Sequence, residues 1–198
     1  MRNATPGAVN VNQRIADSVG RYRAALRLSL DELAEKSGVS RSMISLIERA
    51  RCSPTAAVLE KLAAGLNVTL PSLFDAVGGA APPSGPIARR GGQPVWRDPG
   101  SGYVRRNVSP PGAPQPMQIV EIRFPAGRRV ALDCAPRDAM IFQQIWVLEG
   151  SMNITVGSRR HQLRQGDCLA MRLGELTMFH NPTRKASRYA VVISRPTN

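Results

Sequence analysis

The stretch LDELAEKSGVSRSMISLIERAR, from Leu30 to Arg51, constrains the fold more than any other part of this chain. Ser29 followed three residues later by Glu32 is a capping-box pattern, in which each side chain satisfies a backbone N–H at a helix start. Leu30, Leu33 and Ala34 then recur at helical spacing, and Gly38 ends the run as a residue that tolerates left-handed geometry. Ser40 is placed to cap a second helix whose inward stripe is Ile44, Ile47 and Met43. Arg41, Ser42 and Ser45 stay on its outer face. A small amphipathic helix that offers Ser and Arg from its first turn suits insertion into a DNA major groove.

The pattern extends well beyond these two helices. Arg23, Leu26, Leu33, Ala34, Gly38, Val39, Ser40, Ile44, Ser45, Ile47, Glu48, Pro54, Thr55, Leu59, Leu62, Ala63, Leu66, Leu73 and Phe74 stand at matching spacings. On these residues the segment from about Asn12 to Phe74 resembles the phage-repressor-like (Cro/C1, or XRE) helix-turn-helix family. The resemblance implies a five-helix DNA-binding domain in which Ser29, Ser40, Arg41, Ser42, Ser45 and Arg51 face DNA. Ser40 and Arg51 match backbone-contacting positions. Arg41 is the candidate for direct readout, since a guanidinium can make two hydrogen bonds to guanine. Leu46 stands where some members carry a polar reader, so it either packs or meets a thymine methyl. Arg23 and Glu48 match a supporting pair that ties the first helix to the recognition helix.

In chain order, residues 1–10 form a polar arm, and Ile15, Val19, Tyr22, Leu26 and Leu28 mark a first helix from Val11 to Leu28. After the turn at Cys52–Thr55 a fourth helix buries Val58, Leu59, Leu62, Ala63 and Leu66, with Gly65 a mere propensity cost in its last turn. Thr69 and Pro71 start a last short helix through Leu73, Phe74 and Val77. The first domain is thus expected over 1–77, followed by a Pro/Gly-rich mobile linker over 78–94. The rest, 95–198, changes period. Short β-rich runs at Gln118–Phe124, Gln143–Leu148, Asn153–Val156, Asp167–Met171 and Arg188–Ser194 alternate with Gly-containing turns, which predicts a sandwich or barrel.

Val147-Leu148-Glu149-Gly150, Gly157, Leu163, Gly166-Asp167, Gly174 and Asn181-Pro182 resemble the cupin double-stranded β-helix, a jelly-roll barrel. The fold class expected is therefore α plus β, in two domains. Metal-binding cupins hold a divalent ion with three His and one Glu, and here every such position is replaced. The glutamate position falls on Gln143, the first two histidines on Pro136 and Asp138 or on Arg137 and Ala139, and the last histidine on Thr177. Without imidazole this is a poor transition-metal set, so neither a metal nor any other cofactor is expected. His161 and His180 read as ordinary histidines, the latter on the strand face opposite a ligand slot. An interior pocket is still expected, formed by Arg105, Arg137, Asp138, Gln143, Ile145, Thr177 and Phe179, with Trp146 pointing away. Arg105, Arg106 or Arg137 would supply a cation for a carboxylate or a sulfur oxyanion.

The net charge of +13 favours a polyanionic partner. Residues 1–78 hold only 10 Lys/Arg against 7 Asp/Glu, so most of the excess belongs to the second half. Cys52, Cys134 and Cys168 have no paired spacing, which fits idle thiols in a reducing cytoplasm. No apolar run approaches the ~18 residues of a membrane span, and no membrane association is expected. The reading is a non-enzymatic, cytoplasmic homodimer that binds a pseudo-palindromic operator and senses a small-molecule effector in its barrel. Two alternatives stand beside it: a metal-dependent cupin enzyme with an accessory DNA-binding domain, and a ligand-blind DNA-binding protein.

Overall fold

The computed structural model describes residues 11–74, 86–110, 117–133 and 140–194. Helices α1 (Val11–Ala25), α2 (Leu30–Ser37), α3 (Arg41–Glu48) and α4 (Ala56–Gly65) come first, followed by a 3-10 turn at Leu70–Phe74. They enclose Ile15, Val19, Leu33, Ile44, Ile47, Leu59, Leu62 and Leu73. The capping box is present: Ser29 Oγ accepts from Glu32 N–H at 3.1 Å, and Glu32 Oε2 accepts from Ser29 N–H at 2.7 Å. Gly38 ends α2 at φ 64°, so its lack of a Cβ is used.

Four expectations about this helical head are corrected. The fifth element is a 3-10 turn rather than an α-helix, because Pro71 has no N–H and Ser72 N–H bonds back only three residues, to Thr69 O. Val77 lies outside the described residues. The first helix closes at Ala25 rather than Leu28, since Arg27 adopts a φ of 54°; Leu26 leaves the inward stripe and is 49% exposed. Gly65 is more than a propensity cost. A Cβ there would stand 2.9 Å from Ser37 Cβ, so the glycine sets how closely α4 approaches α2.

The second half is two facing antiparallel sheets. The strands are β1 (Val95–Arg97), β2 (Val104–Asn107), β3 (Met117–Phe124), β4 (Arg129–Leu132), β5 (Phe142–Glu149), β6 (Ser151–Val156), β7 (Arg159–Arg164), β8 (Cys168–Arg172), β9 (Thr177–His180) and β10 (Ser187–Ser194). One sheet runs β1-β2-β3-β10-β5-β8 and the other β4-β9-β6-β7. Two such sheets face to face make a jelly-roll barrel, the architecture expected for this half. Strict alternation along β10, with Tyr189, Val191 and Ile193 buried between half-exposed neighbours, puts one face in the barrel. In β5, Ile145 and Val147 are buried while Trp146 is exposed, as the alternation predicts.

The expected linker is only partly a linker. Residues 78–85, like the arm 1–10, lie outside the described residues. Residues 86–94 are tied to the barrel: Gln93 Nε2 donates to the carbonyls of Ala88 and Val108 at 3.2 and 3.4 Å, and Asn107 N–H donates to Pro94 O at 3.0 Å. A side-chain amide and a sheet-like bond thus replace mobility. No helix among the described residues is long and apolar enough to cross a membrane.

Head and barrel share one core. Buried apolar residues of both form a single cluster, and Phe74 of the head meets Trp96 of β1 at 5.7 Å between ring centroids. From Trp96 the ring contacts continue through Tyr103, Phe124 and Tyr189 to Phe179, deep in the barrel. Three polar ties cross the same junction. Asp98 Oδ1 accepts from Ala56 N–H in the first turn of α4 at 2.8 Å. Asn107 Nδ2 donates to Pro71 O at 3.1 Å, and Thr69 Oγ1 bonds Gln118 Oε1 at 2.7 Å.

Candidate functional site

The reading helix is built from inside out. Ile44 and Ile47, fully buried, fix the inner side of α3, and burying each such side chain is worth about 1.5–3 kcal/mol. That orientation leaves Arg41, Ser42 and Leu46 exposed and Ser45 half-buried on the outer side. Ser40 caps the helix, its Oγ accepting from Met43 N–H at 3.3 Å. The Arg41 and Ser42 N–H groups ahead of that bond stand at the positive end of the helix dipole, which suits a phosphate. Ser29 and Arg51 are exposed at the starts and ends of the flanking segments.

Arg23 anchors this arrangement. Its Nε and Nη2 donate to the two carboxylate oxygens of Glu48 at 2.6 and 2.8 Å, and its Nη1 donates to Leu28 O at 2.8 Å. One side chain thereby joins α1, the α1–α2 turn and α3. The hydrogen bond to Glu48 raises the Arg23 pKa above its usual value. Arg41, by contrast, pairs with Asp31 at 3.2 Å while both side chains are largely exposed, so the pair is weak and gives way readily to a stronger acceptor.

Sequence comparison bears on this head. Residues 19–73 match the helix-turn-helix family HTH_3. The control protein C.SmaI of Serratia marcescens is 35% identical over 66 residues, which span 33% of this chain and 79% of that protein. This chain belongs to the XRE-type helix-turn-helix family. Over its whole length it is also similar to the HTH-type transcriptional regulator SutR of Escherichia coli (strain K12), at 24% identity across 94% of this chain and 98% of that protein. The crystal structure of an HTH_3 family transcriptional regulator from Vibrio cholerae covers 94% of this chain and 98% of its own, at 24% identity and a TM-score of 0.73. Helical head and barrel thus occur together in that fold as they do here. The chain is a DNA-binding transcriptional regulator whose helical head is followed by a C-terminal jelly-roll barrel.

This XRE-family chain also holds a cavity of about 50 Å³ where head meets barrel. Arg105, Gln143 and Phe179, three of the expected pocket residues, line it. Ile145 and Thr177 do not. Both are buried, but Ile145 packs within the sheet and Thr177 Oγ1 donates to Glu175 O at 3.1 Å. Arg137 and Asp138 lie outside the described residues. The lining that went unforeseen is aromatic and from the head: Tyr103, Tyr189, Glu60 and Leu70. The run Tyr103-Val104-Arg105-Arg106-Asn107 has no apolar alternation to mark it as a strand, yet its odd-numbered members are the buried ones.

The cupin metal position does not fit a transition metal. Gln143 and Thr177 bring an amide and a hydroxyl, which are weak donors, and no imidazole accompanies them. Among the described residues no three His, Cys, Asp or Glu side chains converge as a ligand set. His180 sits at the end of β9 opposite Arg129 and Asn153, and burial followed by the nearby arginines lowers its pKa. Cys168 is exposed, and Cys52 is half-buried, with burial pushing its thiol pKa up.

Proposed function

We propose that this regulator reads DNA with Ser40, Arg41, Ser42 and Ser45 of α3, assisted by Ser29 and Arg51, and that its barrel senses a small molecule without a bound metal. Residues 1–77 then serve as the reading head and 95–198 as the sensing and pairing unit. The observation that carries this reading is the outer face of α3. It presents a guanidinium, hydroxyls and one exposed leucine, all on a helix locked from behind by two buried isoleucines and the Arg23–Glu48 pair. Arg41 suits the paired acceptors of a guanine, and Leu46 a thymine methyl.

One such head covers a short site, so two copies on a pseudo-palindrome are expected, with half-site centres roughly 34 Å apart. The outer face of the six-stranded sheet is the surface proposed for pairing. Met117 and Ile119 of β3 and Phe142 and Trp146 of β5 are exposed there on the two strands that flank β10, and apolar groups gathered on one face favour burial against a second copy. Light scattering of the purified chain tests this: a dimer is expected, and a Trp146→Lys variant should shift it towards monomer.

The DNA reading is tested by fluorescence anisotropy with duplexes selected from a random pool by the wild-type protein. Arg41→Ala should weaken binding to the selected sequence by about 1–3 kcal/mol, or five- to 150-fold, and leave unselected duplexes nearly unaffected. Binding of both should fall steeply with salt, as counterion release requires. Equal loss on every duplex would remove Arg41 from the reading role.

A further inference from the structure

Arg105 is an arginine buried in the core. It sits on β2 with 6% of its surface exposed and lines the junction cavity. Its Nε and Nη2 are both buried without a hydrogen-bond partner among the described residues. These two N–H groups lie along one edge of the guanidinium, spaced to meet both oxygens of a carboxylate. The same chain shows that edge in use: Arg23 grips Glu48 through Nε and Nη2 at 2.6 and 2.8 Å. The Arg105 guanidinium lies 5.6 Å over the ring of Phe74, which restrains its plane. Burial pulls its pKa down, partly offset by Tyr103 and Glu60, so the site disfavours its own charge until an anion faces it.

The remaining walls limit what that anion can be. Ile122, Phe124, Val191 and Ile193 give the cavity an apolar side. Glu60, 4% exposed, lines the wall from the head's side. A tetrahedral dianion would need more donors than one guanidinium edge and two phenols provide. A carboxylate with a short apolar body matches both sides. Resting on the sensor reading above, we infer that Arg105 holds the carboxylate of a small monocarboxylic acid in the junction cavity, and that Glu60, Leu70 and Pro71 of the head close the site. The ligand therefore touches both units, and any difference in its affinity for docked and undocked heads shifts their equilibrium.

The test is thermal unfolding of the full chain with acetate, propionate, butyrate and valerate, against sulfate and n-butylamine. At least one carboxylate should raise the melting temperature saturably, by about 5–10 °C at a hundredfold excess over Kd, and the controls should not. Arg105→Met should fold and lose this shift. Arg105→Lys keeps the charge but not the paired edge, and should weaken the effect at least tenfold. Flat melting curves with every carboxylate, an undiminished shift in Arg105→Met, or stabilisation by sulfate alone would each overturn the assignment. The bound carboxylate should also change wild-type affinity for a selected duplex, and stabilisation with no such change would overturn the contact with the head. DNA binding by ligand-free protein tests the regulator reading separately, and a stabilising ligand of other chemistry would keep the sensor while removing Arg105 from it.

Discussion

Arg23 and Arg105 are the same side chain in two settings. Arg23 spends all three guanidinium nitrogens within the protein, on Glu48 and the Leu28 carbonyl. It is a structural tie, and its side chain is only 23% exposed, against 16% for Glu48. Replacing it by methionine leaves a half-buried carboxylate without its partner. Arg23→Met should therefore cost about 1–3 kcal/mol, read as a lower urea midpoint at unchanged slope. The double variant Arg23→Met/Glu48→Met should lose less than the single one, because no unpaired charge remains. Arg41 is the opposite case. Held only by an exposed contact to Asp31, it contributes little to stability and is free to turn towards a base. One residue type thus serves as support at Arg23 and is proposed for reading at Arg41 and for ligand capture at Arg105, according to what surrounds it.

Among the elements, the helix pair α2–α3 was fully legible in the sequence. Local signals decide it: a capping box, a left-handed glycine, an N-cap serine and a 3.6-residue apolar period, all of which the structure contains. The paired Arg23 and Glu48, twenty-five positions apart, followed only from family resemblance. Five strands of the barrel, β3, β5, β6, β8 and β10, were marked by β-branched runs between glycine turns. The other five escaped notice, for a physical reason. β1 has three residues, β2 and β7 are rich in arginine, and β4 and β9 have four residues each, so none carries an apolar run of its own. Their place is set by neighbours across the sheet. Gly65 is similar: its role depends on Ser37 of another helix, a contact that no local pattern encodes. In the pocket, Gln143 and Phe179, which strand parity turned inward, line the cavity, whereas Ile145 and Thr177 do not. The head's share of that pocket was invisible, since it arises from docking of one half on the other.

That docking governs the whole molecule. A head joined to the barrel by a mobile tether would pass ligand information only through the spacing of two heads. Here Asp98 closes a direct link: Oδ1 accepts from Ala56 N–H, while Oδ2 accepts from Ser101 N–H and Oγ at 2.6 Å each. The carboxylate is 3% exposed, so its loss leaves buried donors unpaired on both units. The Phe74–Trp96 contact and the aromatic line behind it continue this link to the cavity wall. α4, which Asp98 caps from outside, follows directly on the turn after the reading helix, so a shift at the junction acts close to the DNA face. Head and barrel are therefore expected to unfold as one cooperative unit, which calorimetry of the full chain reads out. The wild type should melt in a single transition with equal calorimetric and van't Hoff enthalpies, and Asp98→Ala should split it or lower the head's part by several degrees. Two separate wild-type transitions, neither moved by Asp98→Ala, would mean that head and barrel fold independently.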